Sequence, residues 1–132
     1  YGEVKFKAFE GNGMSKLAII DNGNLVMGNV NSSMVSNEQL AVSWLTASEE
    51  DRVLLNLGLI DLERSSIKKI VVDDFDSHQR LSVPQLVYSD ESLFLSLSKF
   101  TDKKHNLYAS KIDISVFDKQ VLSDIEWVKD EI

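Results

Sequence analysis

The amino-acid sequence predicts an all-β protein built from antiparallel meanders, and three observations predict it. Apolar residues recur mostly at every second position rather than at helical spacing. The runs they form are separated by short polar connectors rich in turn formers. The stretch "SSMVSNEQLAVSWLTASEEDRVLLNLGLID" (32–61) also returns, loosely rewritten, as "PQLVYSDESLFLSLSKFTDKKHNLYASKID" (84–113), and a repeat of this length marks a recurring structural unit.

In chain order, Val4–Phe9 alternates cleanly and reads as a strand. "KLAIIDNGNLVMGNV" is two apolar runs joined at Asp21-Asn22-Gly23-Asn24, where Asn-Gly supplies the positive φ angles of a tight hairpin. Further strands are expected at Gln39–Leu45, Val53–Leu62, Ile67–Asp73, Gln85–Tyr88, Leu93–Phe100, Leu107–Ile114 and Lys119–Glu126. Pro84 falls at a strand start, where its missing donor does least harm. "SEEDRVLLNLGLIDLE" opens with Ser48 three residues before Asp51, an acidic variant of a capping box. Val53, Leu55, Leu57 and Leu59 nevertheless keep period two around Gly58, which favours strand. At the carboxyl end Phe117, Val121, Ile125, Val128 and Ile132 follow helical spacing, so a short helix there is the alternative to a last strand.

The repeat divides one domain, residues 1–132, into a hairpin region (4–30), a first copy (32–75) and a second (84–127). Each copy parses as a four-stranded meander, the first using 32–36, 39–46, 52–62 and 66–74, the second 84–89, 92–100, 106–114 and 119–127. "VPQLVYSDESLFLSLSKF" followed by "HNLYASKIDIS", together with "NEQLAVSWLT", resembles the strands of blades in sialidase-like and glycosidase-like β-propellers. The resemblance implies propeller-like packing of four-stranded sheets. It brings no Asp-box, Trp-Asp signature or double-glycine kelch motif, and so no catalytic position to carry over. Two blades do not close a ring, which needs four to eight. The solutions left open are closure by several copies, membership of a larger protein, or a β-sandwich of the two meanders.

Composition narrows the function. With 132 residues and 43% hydrophobic content the chain can bury a core unaided. The absence of cysteine excludes disulfides, thiolate metal sites and a cysteine nucleophile, and leaves the compartment open. No apolar run approaches the ~18–20 residues of a membrane span, so a soluble domain is expected. Tyr1 in place of a methionine suggests that a leader, tag or larger parent has been removed. Fourteen basic against 21 acidic residues leave a net charge of −7, and the largest basic clusters are Lys68-Lys69 and Lys103-Lys104. Such a field repels nucleic acid and anionic lipid.

The meander also predicts which loops keep company. The second-to-third-strand turn and the connection leaving the fourth strand emerge at one end, so Thr46–Asp51, Asp73–Val83 and Thr101–His105 should gather there. They hold the densest polar chemistry of the chain: Asp73, Asp74, Asp76, His78 and Arg80 in "DDFDSHQR", and His105, the other histidine. Spacing of Asp74, Asp76 and His78 hints at a calcium loop, but the sixth position is Gln79 and the twelfth Gln85, so the EF-hand pattern fails and no metal or other cofactor is expected. There is no G-x-S-x-G elbow and no glycine-rich phosphate loop. Trp44, Phe94 and Phe100 lie within strands and are expected in the core, whereas Trp127 is the candidate contact aromatic.

The reading that follows is a noncatalytic binding protein whose acidic loop face, with Trp127 as an additional contact, docks a protein partner, for instance a basic toxin in the manner of an immunity protein. Two alternatives remain: a glycan-binding, lectin-like module, and a fragment of a glycoside hydrolase. Open edges at Val4–Phe9 and the Asn-Gly hairpin would favour pairing with another copy, as a dimer or as a trimer closing a six-bladed ring.

Overall fold

The computed structural model describes residues 4–9, 15–21, 25–77, 80–101, 103–124 and 126–128. Within them lie β1 (Val4–Phe9), β2 (Ser15–Asp21), β3 (Leu25–Met34), β4 (Gln39–Ala47), β5 (Arg52–Asp61), β6 (Ser66–Asp76), β7 (Arg80–Leu81), β8 (Gln85–Ser89), β9 (Ser92–Thr101), β10 (Lys104–Asp113), β11 (Ser123–Asp124) and β12 (Glu126–Val128). A 3-10 helix, Ile114–Lys119, separates β10 from β11. The strands form three sheets, ordered β1-β2-β12, β11-β6-β5-β4-β3 and β10-β9-β7, with β8 also paired to β9. All pairings are antiparallel, so the expected meander architecture is the observed one.

Period two explains the core. Val53, Leu55, Leu57 and Leu59 of β5 are buried, as are Leu93, Leu95 and Leu97 of β9, and they meet in one cluster with Ala41, Leu45, Phe75, Leu86 and Phe117. The two larger sheets therefore pack face to face through alternate positions of facing strands. Two side-chain-to-backbone bonds tie the edge strands β3 and β8: Asn31 Oδ1 accepts from the Leu86 amide at 3.3 Å, and Ser33 Oγ from the Tyr88 amide at 3.1 Å.

The opposite face of the β3–β6 sheet buries Val42, Trp44, Ile60 and Ile67 in a second cluster. Gly58 belongs to this face for a steric reason. A Cβ there would stand 3.1 Å from Ile67 Cδ1 and 3.3 Å from the Trp44 ring, so the indole occupies the space a side chain would take.

The repeat extends to strand register. A step of 53 positions along β4 and 52 along β5 turns each pair of one hairpin into a pair of the other: Ala41↔Leu59 becomes Phe94↔Lys111, and Leu45↔Leu55 becomes Ser98↔Leu107.

Four expectations need correction. First, β2 and β3 do not form a hairpin: β2 pairs with β1 and β12, and β3 with β4. The Asn-Gly signal specifies a reversal but not which sheet the next strand joins. Asn22–Asn24 lie outside the described residues.

Second, the first strand of copy one begins at Leu25, because β3 runs ten residues alongside β4 with a bulge between Met27 and Asn31. Third, Lys119–Glu126 is not a fourth strand on β10. β11 pairs with β6, and β12 with β2. Equivalent aspartates make the difference. In copy one, Asp61 Oδ1 accepts from the Arg64 amide, and Ser65, at φ 52°, turns the chain back as β6. In copy two, Asp113 Oδ1 accepts from the Ser115 amide and caps the 3-10 helix, which leads the chain away and buries Phe117. A short helix is thus present near the carboxyl end, earlier than the helical spacing placed it.

Fourth, Phe94 is 42% exposed, on the face of β9 that points away from the core. Trp44, by contrast, is buried as expected. Among the described residues, no helix is long and apolar enough to cross a membrane.

Candidate functional site

The described parts of the three connectors expected to gather adjoin one another. The β4–β5 turn places Asp51 against the end of β6, where the Ser77 amide donates to the Asp51 carbonyl at 3.1 Å. Beyond it, Arg80 of β7 pairs with Phe100 of β9. His105, just after the β9–β10 turn, meets the Phe100 ring edge to face with centroids 4.7 Å apart. His78 lies outside the described residues. Trp127 belongs to β12, opposite Ala18 in the β1-β2-β12 sheet, and is not on a strand of either loop-bearing sheet.

The acidic triplet sits on a strand, not in a loop, because β6 continues to Asp76. A bulge at Val72 sets its orientation: Asn56 pairs with Val71, yet Leu55 pairs with Asp73. The extra residue shifts the alternation by one. Asp73, opposite the buried Leu55, joins the side facing the second sheet, and so does Phe75, opposite Val53. Asp74 and Asp76 project from the other side. An unbroken strand would have exchanged these roles and presented Phe75 to water.

The two sides have different chemistry. On the outer side, Arg52 grips Asp74 with both prongs: Nε to Oδ2 and Nη2 to Oδ1 are each 3.2 Å. The guanidinium holds the Asp74 carboxyl below its ordinary range. The sign follows: this pairing is fully present above the ordinary aspartate pKa and is lost as pH falls through the lowered one. Both side chains are exposed, 38% and 51%, so the pair orients Asp74 more than it stabilises the fold. Glu49, Glu50 and Asp51, all exposed, extend the acidic surface along the adjoining turn.

On the inner side, Phe75 meets Tyr108 edge to face at 5.3 Å, joining β6 of one sheet to the edge strand β10 of the other. Lys99 Nζ lies 5.3 Å from the Phe75 centroid and 6.0 Å from that of Tyr108. Burial raises the Tyr108 pKa; Ser110 acts against the rise, and the nearby carboxylate of Asp73 adds to it. A phenol with a raised pKa holds its proton longer in the folded state, so its contribution is complete below about pH 10 and declines as pH climbs above that. Absorbance titration near 295 nm should show Tyr108 titrating late, brought earlier, but not to the ordinary value, by Asp73→Asn. A Tyr108 that titrates normally contradicts the seam.

The end of the molecule is therefore split by charge. Asp74, Asp76 and the Glu49–Asp51 turn belong to the first sheet, whereas Arg80, Lys103, Lys104 and His105 belong to the second, all of them exposed, with the partly buried Asp73 and Lys99 between them. Sequence reasoning missed Arg52, Lys99 and Tyr108, whose roles arise only across strands. It also missed a second acidic group at the opposite end, where the neighbouring Glu63 carboxyl, and to a lesser degree Asp61, raises the Glu38 pKa.

Near that opposite end a cleft of about 150 Å³ is lined by Asp61, Arg64, Ser66, Lys68, Phe117 and Asp118, among others. The Ser66 hydroxyl is buried there without a partner. Two acids against two bases select neither anion nor cation. Among the described residues, no group of three histidine or carboxylate side chains is placed to hold a metal ion. No protein-family model, curated protein or solved structure was found to match the chain.

Proposed function

We propose that the chain is a noncatalytic binding protein whose loop-bearing end docks another protein, with the acidic half against a basic surface of the partner. The observation that carries this reading is the bulge at Val72, which turns Asp74 and Asp76 outward beside the acidic Glu49–Asp51 turn. The adjoining cationic half, Arg80 with Lys103 and Lys104, gives the docking surface a direction. Charge arranged in this way serves orientation and encounter rate more than raw affinity. An inhibitor of a basic toxin fits this chemistry, and so does any partner with a complementary split of charge.

The hydrolase alternative has less support. Cleavage of a glycosidic bond needs a carboxyl with a raised pKa close to an ionised one; the Asp74 pKa is lowered by Arg52, and the raised carboxyl, Glu38, stands at the opposite end of the sheet.

Calorimetric titration with a synthetic arginine-rich peptide tests the reading. Asp74→Ala with Asp76→Ala should weaken binding about tenfold, the scale of two exposed charge pairs. Glu38→Gln with Glu63→Gln, which removes charge from the far end, should change it less than about twofold. Equal losses from both double variants, or none from the first, would overturn the proposal.

A further inference from the structure

The cleft of about 150 Å³ at the end away from the docking surface has a floor made by strand register. Gln39, Asp61 and Ser66 stand opposite one another on β4, β5 and β6, and two residues further along the same face Leu59 stands opposite Lys68. The 3-10 helix adds Phe117 and Asp118 to the lining. Ser66 is 2% exposed, and its hydroxyl has no hydrogen-bond partner. A buried hydroxyl in that state costs free energy that a bound group recovers by supplying the missing bond. The charges around it are also uncommitted to one another: among the described residues, no ion pair joins Arg64 or Lys68 to Asp61 or Asp118.

We infer that this cleft is a binding site for a small zwitterion of the α-amino-acid type with a short apolar side chain. A simple anion or cation would meet two charges of its own sign there, whereas a molecule that carries both signs a few bonds apart meets an opposite charge at each end. Arg64 and Lys68 stand two residues on either side of Ser66, so the two cations and the buried hydroxyl are grouped as donors for a carboxylate. Asp61 and Asp118 supply acceptors for the ammonium group. Asp61 Oδ1 already accepts from the Arg64 amide, which fixes that carboxylate in place. Leu59 and Phe117, both buried, and Leu122 offer the apolar wall for the side chain.

Size narrows the class further. A cavity of about 150 Å³ takes a molecule the size of benzene, and an amino acid such as valine is little larger. Sites for drug-sized ligands run to about 300–1,000 Å³, so a nucleotide or an oligosaccharide is too large for this one. The inference concerns a different part of the molecule from the docking end and stands or falls independently of it.

Amide chemical-shift titration of the isotope-labelled full chain with L-valine tests it, beside two analogues that each lack one of the charges, isovalerate and isobutylamine. The expected result is a saturable shift at Asp61, Ser66 and Asp118 with a dissociation constant of about a millimolar or below, the range open to so small a ligand. Both analogues should bind at least about tenfold more weakly than valine. Lys68→Gln should weaken valine about threefold without weakening isobutylamine, and Asp118→Asn should weaken valine as much without weakening isovalerate, the scale of one exposed charge pair. No saturable shift with valine, shifts that lie elsewhere on the chain, an analogue that binds as well as valine, or a Lys68→Gln loss that is equal for valine and isobutylamine would overturn the inference.

Discussion

Phe117→Ala should destabilise the fold by about 3–5 kcal/mol, although the 3-10 helix that carries it is only six residues long. Phe117 is 1% exposed and is the buried residue of that helix. Its ring joins the cluster shared by both large sheets, so its removal leaves a cavity where neither sheet can relax without separating from the other. A domain of this size has a total stability of about 5–15 kcal/mol, so the variant should unfold far earlier in denaturant. Val116→Ala, at a 40% exposed neighbour, should change stability by less than about 0.5 kcal/mol. Similar small losses for both would mean that the 3-10 helix does not plug the core.

Trp44→Ala should cost a similar amount, about 3–5 kcal/mol, for a different reason. Trp44 is 1% exposed and packs over Gly58, a position that has no side chain with which to refill the space. Gly58→Ala in the same background should recover part of the loss, because the added methyl enters the volume that the indole has left. Alone, Gly58→Ala crowds the indole and should destabilise by about 1–3 kcal/mol. This reversal of sign is read from equilibrium denaturation of the two single variants and the double variant. Additive losses would contradict the packing.

Much of the fold was legible because alternation and burial share a period. Leu93, Leu95 and Leu97 announce both a strand and its inward face. Even the gathering of three loops at one end followed from meander topology. Local patterns could not decide which strands become neighbours across sheets. Asn22-Gly23 signalled a reversal and proved to stand between strands of different sheets. Asp61 and Asp113 occupy equivalent places and bond to following backbone amides, yet one begins a turn back into the sheet and the other a 3-10 helix. Phe94 was expected in the core because alternation shows which residues share a face, not whether that face is covered.

The candidate site was legible to the same depth. Asp73, Asp74, Asp76, Arg80 and His105 could be placed at one end from strand order alone. Their division into an inner Asp73 beside Tyr108 and an outer Asp74 gripped by Arg52 depends on a single bulge, and alternation by itself argues against a bulge. Pairing partners twenty or more residues away, such as Arg52 for Asp74, carry no local signal.

Amide chemical-shift mapping of the isotope-labelled protein, titrated with the arginine-rich peptide, tests the docking proposal most directly, because the chain carries acidic groups at both ends. Shifts concentrated at Glu49–Arg52 and Asp73–Ser77, with the amides of Glu38 and Glu63 unmoved, are the predicted result. Shifts of equal size at both ends would show general attraction to a negative chain, and shifts confined to the Glu38–Glu63 end would place the docking surface on the wrong side of the molecule.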